Sequence, residues 1–334
     1  MEMGQFKAAD LAFNKAISID ENLAEALHNK SHLKLLHGEF EEGWRLYEWR
    51  FKLENPIPRR YQSIADWNWQ KNSRLIVWQE QGIGDQVMFI SLINEIYIYC
   101  SKLIVQVDER LIPILSRSFP REISFVDANK NISTTEFDYQ ISMGSLCKYF
   151  RNTKESFVEC KKNYLIANPL NNKEIRSNNK KYCGLSWKSN NKNYGKKRSI
   201  ELANIVNNVK DNNFEFISLQ YGDNVEEINE VEKEFNIRFL KFDQIDRSNN
   251  IDSLCSLINL CDFVITIDNT TVHLSGALGV RTYLLLPYVP DWRWMLDRDD
   301  SLWYGSIKIY RQVVSGGWNE PLEKIKKDLN LELP

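Results

Sequence analysis

Hydrophobic and polar positions alternate along most of the chain in a strand-then-helix order. The first series runs from residue 75 to residue 150, with apolar runs at 75–78, 103–107, 123–127 and 139–142 and with helical patterns at 87–99, near 110–118 and near 145–150. The second series begins at 182 and ends with a strand at 307–311 and a helix at 320–329. Such repeated alternation is typical of a parallel sheet with helices on both faces. The pattern therefore predicts an α/β protein with two doubly wound halves.

The clearest strand-helix-strand unit lies between residues 262 and 287. The β-branched run Phe263–Ile267 predicts a buried strand, and Asn269, Thr270 and Thr271 supply N-cap chemistry for a short helix, Val272–Leu278. Gly279 ends that helix, and Tyr283–Leu286 is a second apolar strand. The strand end and the helix N-terminus form a crevice in which free N–H groups and the helix dipole favour anions. This unit predicts an anion site.

The first 55 residues predict helices with an internal repeat. Gly4 and Gly38 are 34 residues apart, and Phe6 and Phe40 share that spacing. A 34-residue period with small and aromatic residues at these offsets resembles the tetratricopeptide repeat. About one and a half repeats cannot bury a core alone. The helices therefore either pack on the following domain or belong to a longer array, and a plain helical hairpin is a third interpretation.

Composition narrows the class of protein. The 334 residues are 43% hydrophobic and 26% charged, with a net charge of −2, so nothing points to nucleic acid. No apolar run approaches the ~18 residues of a membrane span, and no signal peptide is recognised. The six cysteines lack metal-ligand spacing and suit buried, reduced thiols. We expect a cytoplasmic protein, with peripheral association at the inner membrane left open.

The first candidate site is Gly82-Ile83-Gly84-Asp85, between a strand and a helix. The glycines are expected to take positive φ and to let the backbone approach a ligand. The third glycine of a dinucleotide fingerprint is absent, as are the Lys and Ser/Thr of a P-loop. Asp85, followed by Gln86, is then either a general base or a carboxylate that favours the helix dipole.

The second candidate site is the crevice after the strand Phe263–Ile267. Asp268 ends the strand and His273 follows on the first turns of the helix, where a core or capping role is the plainer interpretation. A basic loop after the strand at 182–187 could bring cations to the same crevice, although it also suits a solvated surface. The residues predicted to surround the anion are Ser186, Lys188, Lys192, Asp268, Asn269, Thr270, Thr271 and His273, with Lys196, Lys197 and Arg198 in the basic loop.

These segments carry a family resemblance over nearly the whole chain. LIVWQEQGIGDQVMF, GLSWKSN, DFVITIDNTTVHLSGALG and LLLPYVPDWRWMLDRDDSLWYG resemble the heptosyltransferase-like family 9 of glycosyltransferases, and GEFEEGWRLYEWRF resembles a subgroup with tetratricopeptide repeats. The resemblance implies the GT-B fold, in which two Rossmann-type domains face a cleft. It implies that Asp85 is the general base, that Asp268–His273 lies at the donor diphosphate, and that Ser186, Lys188 and Lys192 contact the donor. Asn269 departs from the usual Thr or Ser.

The resulting hypothesis is an inverting, metal-independent glycosyltransferase without a cofactor, using a nucleotide-diphosphate sugar as co-substrate. Residues 1–55 would be repeat-like helices, 56–165 an acceptor domain and 166–334 a donor domain. Gly82, Gly84, Gln86, Asp291 and Trp292 would line the cleft or, for the aromatic loop, act as a packing plug. The acceptor would be a lipopolysaccharide glycan or a protein such as flagellin, with a peptide or partner protein on the helices.

Two other hypotheses belong to different classes. In the first, the helices form a scaffold and the transferase domain is catalytically degenerate, for which Asn269 is mild support. In the second, the chain binds a Rossmann dinucleotide, which the incomplete glycine pattern disfavours. Release of nucleoside diphosphate from a sugar nucleotide separates the leading hypothesis from both.

Overall fold

A computed structural model describes residues 3–158, 162–170, 180–191, 194–211 and 213–332. The chain divides into two compact units. The first consists of Met1–Lys162 together with Val289–Asp297, and the second of Asn163–Tyr288 together with Arg298–Pro334. The predicted boundaries at 55 and 165 stay a prediction.

The first unit begins with helices and continues into a parallel sheet. Its helices are α1 (Phe6–Ile19), α2 (Ala24–Leu36), α3 (Phe40–Tyr47), α4 (Ile83–Ile90), α5 (Ile93–Tyr97), α6 (Ile112–Ser118) and α7 (Cys147–Phe150). Its strands are β1 (Ala65–Asp66), β2 (Ser73–Trp78), β3 (Cys100–Val107), β4 (Ile123–Asp127) and β5 (Tyr139–Ser142). The sheet has the order β1-β5-β2-β3-β4, and every pairing is parallel. The one helix predicted over 87–99 is two, because α4 ends at Ile90 and the Ser91 hydroxyl bonds the carbonyl of Met88 (2.7 Å).

The N-terminal helices pack on the sheet part of the same unit. Gly4 and Gly38 both adopt positive φ (72° and 78°), so the residues that share the 34-residue spacing also share a backbone conformation. Gly43 is needed where α3 meets α2, since a Cβ there would lie 2.6 Å from the Leu35 side chain. The buried Trp44 indole donates to the carbonyl of Arg151 (2.8 Å). The helices therefore contact the segment that follows α7 in the same unit, while their assignment as tetratricopeptide repeats stays a prediction.

The second unit is a six-stranded parallel sheet with helices. Its strands are β6 (Lys181–Ser186), β7 (Phe214–Ser218), β8 (Phe239–Leu240), β9 (Phe263–Ile267), β10 (Thr282–Leu286) and β11 (Ile307–Arg311). Its helices are α8 (Gly195–Arg198), α9 (Leu202–Val209), α10 (Val225–Phe235), α11 (Ile251–Leu260), α12 (Thr270–Leu278) and α13 (Asn319–Glu332). The order is β11-β10-β9-β6-β7-β8, and β6 pairs with β9 so that Ser186 lies opposite Thr266. The α/β class with two parallel sheets is confirmed.

Two kinds of feature are absent from the described residues. No helix among them is both long enough and apolar enough to cross a bilayer. In the same parts of the chain, no group of three or more His, Cys, Asp or Glu side chains is placed to hold a metal ion.

Candidate functional site

Asp85 lies on the first turn of α4, directly after the loop that follows β2. Gly82 is the N-cap in an extended conformation (φ −65°, ψ 171°), so the prediction of positive φ is wrong for this glycine. Gly84 is likewise absent from the positive-φ glycines of the described chain. A Cβ at position 82 would lie 3.8 Å from Asp85 Oδ2, an ordinary contact distance. The glycine therefore leaves the side of Asp85 near Oδ2 clear of a side chain.

Arg293 binds the carboxylate of Asp85. Its Nη2 donates to Asp85 Oδ1, and its Nη1 donates to Asp291 Oδ1 (2.5 Å). The guanidinium also lies 4.3 Å from the centroid of the Trp292 ring. The Asp85 side chain keeps 24% of its surface exposed and that of Arg293 13%. One guanidinium thus joins two carboxylates in the first unit.

The pKa of Asp85 is raised above the ordinary value for aspartate. Burial is the largest cause, and the like charges of Asp291 and Glu80 raise this pKa further. Arg293 acts in the opposite direction by favouring the ionised form. A carboxyl whose pKa is moved towards neutrality is a better proton acceptor, which is the environment that general bases need.

Two residues predicted at the cleft have packing roles. Trp292 is buried, and its ring contacts Trp44 (centroids 5.3 Å apart) and Tyr47 (6.0 Å), which makes it a packing plug. Gln86 is also buried, and its Oε1 accepts from the backbone N–H of Asp108 (2.8 Å), so it ties α4 to the end of β3. Asp291 caps a 3-10 turn, Trp292–Trp294, by accepting from the Arg293 N–H (3.2 Å).

In the second unit, Asp268 pairs with Arg198. Asp268 Oδ2 lies 3.0 Å from Arg198 Nη1, and both side chains are largely buried. Arg198 belongs to the basic loop and ends α8, and its guanidinium reaches the end of β9. It was noted only as a member of the basic run, because a run of cations does not reveal which one turns inward.

Asn269 joins the start of α12 to the end of β6. Its Oδ1 accepts from the Thr271 N–H (3.0 Å), so among the three residues predicted to supply N-cap chemistry, Asn269 is the N-cap. Its Nδ2 donates to the Ser186 hydroxyl (2.8 Å). Thr270 is the first residue of the helix. The structure therefore brings together Ser186, Asp268, Asn269, Thr270, Thr271 and Arg198 around one helix N-terminus.

The predicted lysines are less closely connected with this cluster. The Lys188 ammonium binds Glu227 on α10 (2.7 Å), and its contact with a donor stays a prediction. Its backbone N–H and that of Trp187 each donate to Gln220 Oε1 (2.9 Å), which fixes the loop after β6. Lys192 lies outside the described residues.

His273 is buried on α12 and bonds Tyr304, a residue that the sequence did not single out. His273 Nδ1 and the Tyr304 hydroxyl are 2.9 Å apart. Gly276 permits this approach, because a Cβ there would lie 2.5 Å from the Tyr304 ring. Tyr304 lay within an aromatic segment of the sequence, but no local spacing links it to His273. Tyr304 is therefore the side chain that orients the histidine.

Tyr304→Phe is expected to lower the free energy of unfolding by about 0.5–1.5 kcal/mol, the usual net value of a buried hydrogen bond. The change removes the hydroxyl that bonds His273 and keeps the packed ring. Urea denaturation followed by circular dichroism measures the effect. Tyr288→Phe is the matched control, because Tyr288 is 47% exposed. Equal midpoints for the two variants would contradict the prediction.

Comparisons with known proteins bear mainly on the fold. No family model matches the chain. A curated relative, Protein FlbA of Caulobacter vibrioides, is 26% identical over 97% of this chain, which spans 59% of that protein. A glycosyl transferase family 9 structure from Veillonella parvula DSM 2008 has a TM-score of 0.54 at 9% identity, covering 79% of this chain and 97% of its own. In fold, the chain is similar to family 9 glycosyltransferases.

A second solved structure gives the same result. The ADP-heptose lps heptosyltransferase II of E. coli has a TM-score of 0.51 at 12% identity, over 77% of this chain and 98% of its own. The predicted GT-B-like class is therefore confirmed at the level of fold. The roles of the individual site residues stay predictions.

Proposed function

We propose that the chain is an inverting glycosyltransferase that uses a nucleotide-diphosphate sugar. The observation that carries the proposal is Asp85, a largely buried carboxylate at the carboxyl end of a parallel strand, with a raised pKa and one oxygen held by Arg293. The fold similarity to family 9 glycosyltransferases supports it. The chemistry follows from these groups and from the helix N-terminus in the second unit.

Asp85 would remove the proton from an acceptor hydroxyl as that oxygen attacks the anomeric carbon. The new C–O bond forms on the face opposite the bond to the diphosphate. That bond breaks, and the diphosphate leaves with its electron pair. The configuration at that carbon is therefore inverted, and the proton resides on Asp85. The acceptor is a hydroxyl of a glycan or of a protein.

The leaving diphosphate needs stabilisation, and the N-terminus of α12 is suited to supply it. Backbone N–H groups and the helix dipole favour an anion there, and Arg198 provides a cation at the same strand end. Asp268 would orient Arg198 instead of binding the anionic donor itself. Preorganised donors of this kind stabilise developing charge without a metal ion. We therefore propose a metal-independent reaction.

The scaffold hypothesis loses its support from Asn269. The asparagine makes the N-cap bond to Thr271 and a second bond to Ser186. It thus fills the capping role that Thr or Ser would have at this position, so its presence is no sign of a degenerate site.

A panel of sugar nucleotides tests the proposal by binding and by turnover. One donor is expected to raise the melting temperature, because a ligand that binds only the folded state stabilises it by about 2.7 kcal/mol at 100 times Kd. The same donor should release nucleoside diphosphate, and EDTA should leave that rate unchanged. Arg198→Gln is expected to weaken donor binding, whereas the exposed neighbour Lys196→Gln serves as the control. The proposal fails when no sugar nucleotide in the panel stabilises the protein or is cleaved.

A further inference from the structure

The segment Val289–Asp297 belongs to the first unit, although the residues on both sides of it belong to the second. It contains the 3-10 turn Trp292–Trp294, which Asp291 caps. The turn directs the Arg293 side chain to Asp85, which is 208 residues away along the chain. A distant part of the sequence therefore completes the surroundings of the proposed base.

We propose that Arg293 is a positioning residue, which holds Oδ1 of Asp85 so that Oδ2 is the oxygen that accepts the proton. The inference rests on the proposed function. The hydrogen bond from Arg293 Nη2 goes to Oδ1. Oδ2 is the oxygen nearest to Gly82, where the absence of a side chain leaves room for an acceptor hydroxyl. The hydrogen bond to Oδ1 thus leaves Oδ2 as the oxygen whose lone pair accepts the proton of the acceptor hydroxyl.

Besides Asp85, two kinds of contact hold Arg293 in place. Its Nη1 donates to Asp291 (2.5 Å), and its guanidinium lies over the Trp292 ring at 4.3 Å. The Trp292 ring packs against Trp44 and Tyr47 of α3. A guanidinium fixed by an ion pair and by an aromatic face loses little further freedom when it binds a carboxylate. The N-terminal helices thus support the position of Asp85 through Trp292.

The charges that face Asp85 determine the sign of the effect. Asp291 and Glu80 are like charges, Tyr47 is a phenol that burial keeps neutral, and Arg293 is the opposite charge. Removing Arg293 leaves burial and two like charges unopposed, so the pKa of Asp85 rises. A base works only in its ionised form. Activity would therefore be lost at neutral pH and regained at higher pH.

The titration of Asp85 tests the inference without any substrate. Carbon-13 signals of labelled aspartate side chains are followed against pH, and the Asp85 signal is assigned by its loss in Asp85→Asn. Arg293→Gln is expected to move the midpoint of Asp85 to higher pH by roughly 1–3 units, the usual effect of an adjacent opposite charge. Arg293→Lys should stay near the wild-type midpoint. Arg59→Gln, which breaks an exposed ion pair with Asp66, is the control. An unchanged midpoint in Arg293→Gln overturns the proposal.

A second variant covers the case in which Arg293→Gln does not fold. Asp291→Asn removes one like charge and leaves Arg293 to Asp85 alone, so the Asp85 midpoint should fall. An unchanged midpoint in this variant likewise overturns the proposal. In transfer assays, the acid limb of kcat/KM should follow the same shifts, with the KM for the donor unchanged. Activity in Asp85→Asn would contradict the assignment of Asp85 as the base. If Asp85→Asn is inactive but the acid limb of kcat/KM does not shift in Arg293→Gln, only the role of Arg293 is overturned.

Discussion

Asp85→Asn is expected to lower the rate of sugar transfer by about 10²–10⁴-fold, the usual contribution of a general base. The asparagine keeps the size of the side chain, and its amide oxygen can still accept the hydrogen bond from Arg293. It cannot take up a proton from the acceptor hydroxyl. The loss should therefore appear in kcat. The KM for the donor should change little, since the residues proposed to stabilise the diphosphate, at the N-terminus of α12, lie in the second unit.

The same substitution is expected to leave folding intact, which separates chemistry from stability. Because the folded state raises the pKa of Asp85, its ionised form is less favourable in the folded protein than in the unfolded chain. This loss of folding free energy is absent at low pH and appears as the pH rises past the pKa of Asp85 in the unfolded chain. The melting temperature of Asp85→Asn at pH 7 should thus equal or exceed that of the wild type. Asp138→Asn, which breaks an exposed ion pair with Arg74, is the control for activity.

Initial rates across pH complete the test of Asp85. Transfer by the wild type should decline as pH falls, at a pH above the ordinary range for aspartate, because the pKa of Asp85 is raised. Transfer by Asp85→Asn within a few-fold of the wild type would exclude Asp85 as the base. An acid limb in the ordinary aspartate range would contradict the raised pKa.

Local patterns in the sequence were enough to predict the strand-helix-strand unit of the second half. Phe263–Ile267 is the strand that the β-branched run predicted, and Gly279 ends α12 in the left-handed region (φ 74°). N-cap chemistry was predicted for the residues 269–271, and Asn269 is the N-cap, accepting from the Thr271 N–H. Each of these features depends on residues that are neighbours in the chain, and local propensity and capping therefore determine them.

Local patterns could not predict the long-range contacts around Asp85 and around the N-terminus of α12. Arg293 reaches Asp85 across 208 residues, and Lys188 turns to Glu227 instead of to the helix N-terminus. The tertiary structure determines which carboxylate a long cationic side chain binds. The spacing of the cations in the sequence therefore does not predict the partner. The positive φ expected at Gly82 was wrong because the residue serves as an extended N-cap, a role in which glycine is also favoured.

Arg50 makes an extensive set of buried polar contacts in the first unit. Its Nε and Nη2 donate to the two carboxylate oxygens of Glu80 (2.6 and 2.9 Å), and its Nη1 donates to Glu48 (2.8 Å). Nη2 also reaches the hydroxyls of Ser142 and Ser145 (2.9 Å each). The side chains of Arg50 and Glu80 are each 1% exposed. A residue next to α3 is thus bound to the loop that leads to Asp85.

Arg50→Met is expected to lower the free energy of unfolding by about 3–5 kcal/mol, because it leaves the Glu80 carboxylate buried without its cation. Methionine fills part of the volume but donates no hydrogen bond. Urea denaturation followed by tryptophan fluorescence measures the change in midpoint and in slope. Arg59→Met, which removes an exposed ion pair, is the matched control and should change the midpoint little.

The double variant Arg50→Met/Glu80→Gln distinguishes a buried unpaired charge from lost packing. If the uncompensated carboxylate is the main cost, the neutral glutamine should restore much of the lost stability, because replacing both partners of a buried pair costs less than removing one. No recovery would assign the loss to packing around Tyr47 and Phe51, whose rings lie 4.4 and 4.1 Å from the guanidinium. Recovery would instead assign the loss in Arg50→Met to the buried Glu80 carboxylate that the substitution leaves without its cation.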